Sequence, residues 1–243
     1  MLNRLVAVLF FSALMLIPGV AQSTEDSQSL FESGKAALES GRTDDAAAIF
    51  SRLIEANPQA AAFYYRGLAY SAAGRDTLAL QDFDRAVSME PDQAIYHMGK
   101  GISQIRTANY QDAIKSFSRV LELDPENVQV FSLRAKALFH QGQSVHAMED
   151  LTQGIRRNPN NAALYKLRGD ILSSAGEYDS AVQDYDVAIR LKPNDPAAHN
   201  NRGIALANLG KVKEAVEDLN RAMDIASSTP AQVRVPGISG NPW

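Results

Sequence analysis

The sequence predicts an all-α fold, an array of about six helix–turn–helix units, and three observations predict it. Prolines fall at Pro58, Pro91, Pro125, Pro159 and Pro193, at spacings of 33, 34, 34 and 34 residues. Alanines recur in phase with them at Ala46, Ala79, Ala113, Ala147, Ala181 and Ala215. Apolar residues between these marks recur at a helical period, as in Ala181, Val182, Tyr185, Ala188 and Ile189. A fixed period of this length means supersecondary units that bury their apolar faces by stacking on one another.

The units run 27–59, 60–93, 94–127, 128–161, 162–195 and 196–226, and each of their columns has a physical reason. Small residues in the first helix, Gly34, Gly67, Gly101, Ala135, Gly169 and Gly203, allow a neighbouring helix to approach closely. Gly41, Gly74, Ala108, Gly142, Gly176 and Gly210 lie between the halves, where a left-handed helix cap costs glycine least. Each column alanine permits a tight helix crossing. The bulky residue four positions on (Phe50, Phe83, Phe117, Leu151, Tyr185, Leu219) fills the space beside it. Proline closes the unit because it cannot continue a helix interior.

Ahead of the array, Arg4 precedes an apolar run from Leu5 to Ile17, broken only by Ser12 and stopped by Pro18 and Gly19. Small residues at Gly19 and Ala21 precede a cut ahead of Gln22, the layout of a secretory signal peptide spanning 1–21. The alternative, a retained anchor, is disfavoured because a spanning helix needs about 20 apolar residues. The expected product is an exported protein, periplasmic or secreted, with a short segment 22–26, no membrane span and ample length for a buried core. The chain has no cysteine, so neither a disulfide nor a lipidated thiol is expected. Its net charge of −4, without a Lys/Arg cluster, excludes the electrostatic footprint of a nucleic-acid binder.

With this period and these columns, residues 27–226 resemble the tetratricopeptide repeat family. The resemblance implies stacked antiparallel helix pairs in a right-handed α-solenoid, whose concave face is lined mainly by the first helices. At the family's aromatic position near the start of the first helix the units carry Leu30, Phe63, His97, Phe131, Tyr165 and His199, so two of them have histidine there. Where the family often has leucine before the small residue, the chain has Arg66, Arg134, Arg168 and Arg202, with Ser33 and Lys100 in the other two units. Sixteen residues later stand Asp82, Asp150, Asp184 and Asp218, and the units lacking arginine also lack this aspartate. The co-occurrence predicts ion pairs within or between units; the alternative is chance among surface charges.

Residues 227–243, SSTPAQVRVPGISGNPW, carry three prolines and two glycines and no helical period. No polar capping helix follows the last unit, whose final helix carries Val216, Leu219, Met223 and Ile225. That face is either exposed or covered, by a second chain or by Val233, Val235, Ile238 or Trp243; a disordered tail is the alternative.

No catalytic motif appears. There is no Gly-x-Ser-x-Gly elbow. Gly99 and Gly101 make a G-x-G inside a predicted helix, with Gln104 where a third glycine belongs. His97, His140, His146 and His199 show no metal-ligand spacing, so neither metal nor cofactor is expected.

Carried across from the family, the groove-lining positions include Tyr64 and Tyr65, then Met98, Ile102, Ile105 and Arg106, then Phe139 and His140. Lys166 and Asp170 follow, and then Asn200, Asn201 and Asn208. Tyrosine, methionine and arginine are enriched at interface hot spots, and asparagine offers both donor and acceptor to a peptide backbone. For Ile102 packing between units is an equal alternative, and of the two tyrosines one is expected in the core. Leu68 and Ile102 occupy the position of Lys35 and Lys136, which speaks against the family's clamp for a C-terminal carboxylate. The expected function is a non-enzymatic scaffold or adaptor binding a protein or peptide segment in bacterial envelope assembly. The alternatives are a self-associating homo-oligomer and an enzyme, or an enzyme's regulatory domain, with a shallow small-molecule site.

Overall fold

The computed structural model describes the backbone of residues 18–228 and the side chains from Ser27 onward; the apolar run 1–17 and the segment 229–243 lie outside the described residues. The described residues form twelve helices and no strand. They divide into two compact units between Pro91 and Asp92. The first holds α1 (Pro18–Glu39), α2 (Thr43–Ala56), α3 (Ala60–Ala72) and α4 (Asp76–Met89). The second holds α5 (Ala94–Arg106), α6 (Tyr110–Leu123), α7 (Val128–His140), α8 (Ser144–Arg157), α9 (Ala162–Ser174), α10 (Tyr178–Leu191), α11 (Pro196–Asn208) and α12 (Val212–Ser228). Helix α1 begins at Pro18, upstream of the cut expected ahead of Gln22.

The turns inside the helix pairs are near-copies of one another. The first helix of each pair ends where a backbone N–H reaches the carbonyl five residues earlier: Arg42 to Ala37, Arg75 to Tyr70, Asn109 to Gln104, Gln143 to Leu138, Glu177 to Leu172 and Lys211 to Leu206, all at 2.8–2.9 Å. That bond satisfies an orphan helix carbonyl and requires a left-handed residue just before it. Glycine supplies this residue in five turns, with φ between 74° and 81°, and Ala108 supplies it in the sixth at φ 59°. Side-chain caps occur at two starts, where Asn161 accepts from the Ala163 N–H and Asp195 from those of Ala197 and Ala198.

The small-residue column has a specific occupant opposite it. A methyl group on Gly34, Gly67, Gly101 or Gly169 would come within 2.6–2.8 Å of the ring of Phe50, Phe83, Phe117 or Tyr185. The glycine therefore receives the aromatic ring of its own pair's second helix. Where the column carries Ala135, the opposing residue is the smaller Leu151, fully buried. The column alanines Ala46, Ala79, Ala113, Ala147 and Ala181 are wholly inaccessible, as the tight crossing requires.

All four arginine–aspartate pairs form. Arg66 Nε and Nη2 donate to Asp82 at 2.8 Å each, and Arg134 donates to Asp150 at 2.8 and 2.7 Å. Arg168 holds Asp184 at 2.7 Å twice, and Arg202 holds Asp218 at 2.6 Å twice. These forks tie the two helices of one pair. The remaining guanidinium nitrogen reaches back to the preceding pair in three cases, to Ser51, Ser118 and Asp186. The repeat spacing thus encodes a register device within pairs and between them.

Second helices pack on the first helix of the following pair, α2 on α3 in the first unit and α6 on α7, α8 on α9 and α10 on α11 in the second. First helices also touch one another in succession, α1 with α3, then α5 with α7, α7 with α9 and α9 with α11. In each unit they form a continuous wall.

Candidate protein-binding surface

In the first unit the wall is aromatic. Tyr65 is half-buried, edge-on to Phe31 at 5.2 Å and to Tyr64 at 5.3 Å, and stacked on Phe50 at 5.5 Å. Tyr64 is buried, tilted against Phe83 at 5.8 Å. One tyrosine belongs to the core and the other presents an edge. Four rings locked against one another leave Tyr65 little rotamer freedom to lose on binding.

In the second unit the wall changes character along its length. Ile102 is buried in the cluster of Phe117, Val120 and Val130, so it is a packing residue rather than an open contact. Met98 and Ile105 are half-buried against that cluster, and Arg106 is exposed on the last turn of α5. Phe139 is half-buried, and the exposed His140 ring lies parallel to Tyr110, centroids 4.8 Å apart. Tyr110 was not among the expected site residues, because it opens a second helix and no column marks it.

Beyond α7 the wall is polar and connected. Lys166 Nζ donates to Asp170 Oδ2 at 2.9 Å. The other oxygen, Asp170 Oδ1, accepts from Tyr185 Oη at 2.9 Å and from Asn201 Nδ2 at 2.8 Å. Asn200 Nδ2 in turn donates to Asn201 Oδ1 at 3.1 Å. Burial pushes the Tyr185 hydroxyl well above its ordinary value, and the Asp170 charge adds to this, so it stays a donor. Asn208 stands apart, its amide spent on the Ile204 carbonyl at 2.9 Å within α11. Tyr185 was read from its column as a packing residue. The signal for its second role is that it alone, among six bulky residues in that column, carries a hydroxyl.

His199 is buried, with Nδ1 3.2 Å from Asp218 and Nε2 3.1 Å from the Pro193 carbonyl. It joins the Arg202–Asp218 pair instead of lining a surface. Burial alone would raise the Asp218 carboxyl, but the hydrogen bonds from Arg202 and His199 outweigh it and leave the group below its ordinary value. His140 and His146, which flank one turn, do not join a cluster: among the described residues no group of three or more His, Asp or Glu side chains is placed to hold a metal ion. Nor is any described helix long and apolar enough to cross a membrane.

Models of the tetratricopeptide repeat match residues 31–95, 105–171 and 196–229, and a TPR repeat model matches 169–210. No curated protein matches the sequence. Among solved structures, PilF of Pseudomonas aeruginosa superposes with a TM-score of 0.71 at 17% identity, covering 85% of this chain and 94% of that one. MamA from Desulfovibrio magneticus RS-1 gives 0.64 at 20% identity, over 71% and 97% of the two chains. YrrB, described as a TPR protein with an unusual peptide-binding site, gives 0.57 at 23% identity, over 74% and 93%. At these identities the likeness is one of fold. The phased columns, the twelve helices and the four family matches together place this chain in the tetratricopeptide repeat family.

Proposed function

We propose that this chain is a non-enzymatic scaffold that holds a protein or peptide segment along its first-helix walls. The observation that carries the reading is the wall of the second unit, where half-buried Met98 and Ile105 and exposed Arg106 and His140 give way to the linked Lys166–Asp170–Asn201–Asn200 network. Apolar side chains supply anchoring area and the amides pair with a peptide backbone. Bound segments are expected to place apolar residues toward α5 and α7 and polar ones toward α9 and α11. The fold shared with YrrB, whose description names a peptide-binding site, supports this class of function.

The test is capture from cell-envelope extract by the chain from Gln22 onward, followed by titration of the captured segment as a synthetic peptide. The Met98→Asp/Arg106→Glu/Asn200→Ala variant, first shown by circular dichroism to stay folded, should lose at least about tenfold in affinity. Equal affinity for parent and variant would refute the wall as the binding surface.

Export follows from the leader-like 1–21 segment and accords with an envelope role, periplasmic or secreted. Intact-mass analysis of protein recovered from the periplasmic and medium fractions tests it, with a chain starting at Gln22 as the expected result. A second reading, self-association, is favoured by the exposure of Val216 (50%) and Met223 (63%) on α12. A mass that rises with concentration would bring it forward.

A further inference from the structure

A cavity of about 500 Å³ lies in the first unit where α1, α2 and α3 meet. Its apolar surface comes from Phe31, Leu53, Ala56, Ala61 and Ala62, and amides of Gln28, Asn57 and Gln59 edge it. Two departures from the repeat open it. The linker from α2 to α3 holds three residues, 57–59, whereas the linkers between helix pairs of the second unit, 124–127, 158–161 and 192–195, hold four. The last helical residue before the linker is Ala56, where the second unit carries Leu123, Arg157 and Leu191. A long side chain at this position reaches back over the first helix of its own pair: the Arg157 guanidinium lies over the Phe131 ring, 4.9 Å from its centroid. Ala56 ends at its Cβ and cannot.

We propose that this cavity is an anchor pocket for one aromatic side chain of a bound protein segment. The inference rests on the protein-binding reading for its class of ligand and on the first unit alone for its place. Three features point to this occupant. The first is size: about 300–1,000 Å³ is the range of pockets that enclose small ligands, so a ring enters together with its flanking peptide groups. The second is relief. Three alanines present unbranched walls, which a flat ring covers more fully than a branched aliphatic side chain does. Phe31 adds a ring that is already fixed, edge-on to Phe50 at 5.6 Å and to Tyr65 at 5.2 Å, and suits edge-to-face or offset contact with another.

The third feature is charge. None of the described residues lining the cavity is ionised, so a charged group entering it would lose hydration without gaining a partner. The three edging amides instead offer donors and acceptors to the neutral peptide groups on either side of a ring. An aromatic residue inside a chain meets both conditions; a free amino acid or a charged side chain does not.

Fluorine NMR of N-acetyl-5-fluorotryptophanamide, a neutral ring between two peptide groups, tests the assignment on the full chain. Its resonance should broaden on titration with a Kd on the order of 1 mM. Ala56→Leu puts at an exposed position the residue that ends α6 and α10, so the chain should keep its circular dichroism while the probe binds at least about tenfold more weakly. The charged free amino acid, 5-fluorotryptophan, should also bind at least about tenfold more weakly. As competitors of the probe, N-acetyl-phenylalaninamide should outdo N-acetyl-leucinamide by at least about threefold. No binding by the parent, or equal binding by parent and Ala56→Leu, overturns the pocket. Equal competition by the leucine amide, or equal binding of the charged amino acid, overturns its ligand class. The Met98→Asp/Arg106→Glu/Asn200→Ala chain should bind the probe as the parent does. Loss of the probe there overturns the pocket by moving the ring to the second unit's wall, whereas failure of the wall itself is read separately, from the captured segment.

Discussion

Removing one carboxylate from the ion-pair ladder, Asp184→Ala, is expected to destabilise the second unit by more than the pair itself contributes. Arg168 donates to Asp184 through two parallel hydrogen bonds of 2.7 Å, and their side chains are only 23% and 9% exposed. An exposed pair contributes about 0–1 kcal/mol, whereas leaving one member of a fully buried pair unpartnered costs about 3–5 kcal/mol. The Arg168 guanidinium lies between these limits. It retains a contact with the Tyr165 ring at 5.7 Å, which softens the loss. We therefore expect a cost of about 2–3 kcal/mol from the unpaired charge. The assay is urea denaturation followed by circular dichroism, with the loss read as a shift of midpoint at unchanged slope. The double variant Arg168→Leu/Asp184→Ala is the decisive companion. If the penalty is the stranded charge, the double variant recovers at least about 1 kcal/mol of the single variant's loss, since both polar partners are gone. An Asp184→Ala chain within about 0.5 kcal/mol of the parent would refute the reasoning and return these pairs to ordinary surface charges.

Ala108→Gly should stabilise the chain by about 0.5–1 kcal/mol, measured by the same denaturation, because Ala108 alone holds a left-handed φ (59°) that the other five turns give to glycine. Gly101→Ala should cost about 1–3 kcal/mol, since its new methyl would sit 2.6 Å from Phe117. Adding Phe117→Leu should restore part of that loss, reproducing the Ala135/Leu151 arrangement, and a double-mutant cycle with no coupling would contradict the ring-on-glycine packing. Asp218 is held below its ordinary value when folded. Its contribution is therefore complete above the unfolded carboxyl value near pH 4 and is lost as pH falls through the lower folded value. Exchange protection of α11 and α12 should accordingly drop on acidification below about pH 4, more steeply in the parent than in Asp218→Asn. Tyr185→Phe removes a donor from Asp170 and should cost about 1 kcal/mol.

The sequence by itself determined the helix pairs and their turns and matched the arginine column to the aspartate column, because each is a matter of spacing along one chain; that the forks close within a pair is seen only in the packed helices. A proline every 33 or 34 residues, a glycine between halves and a sixteen-residue offset between opposite charges are local patterns, and their recurrence five, five and four times in phase makes them unmistakable. Which first-helix residues stand free was legible only in part. Tyr64 and Ile102 carry the same kinds of side chain as Tyr65 and Met98, yet the former are buried and the latter half-exposed. Exposure is decided by side chains on other helices, such as Phe83 against Tyr64, and no spacing within one helix encodes that contact.

Likewise, Lys166, Asp170 and Asn201 are ordinary surface types in sequence. Tertiary structure makes them one network by bringing α11 against α9 and setting the Tyr185 hydroxyl beneath them. The open face of α12 has the same origin. Val216, Leu219 and Met223 repeat the apolar stripe of every earlier second helix, and only the packing of helices shows that here, among the described residues, no further pair lies across it.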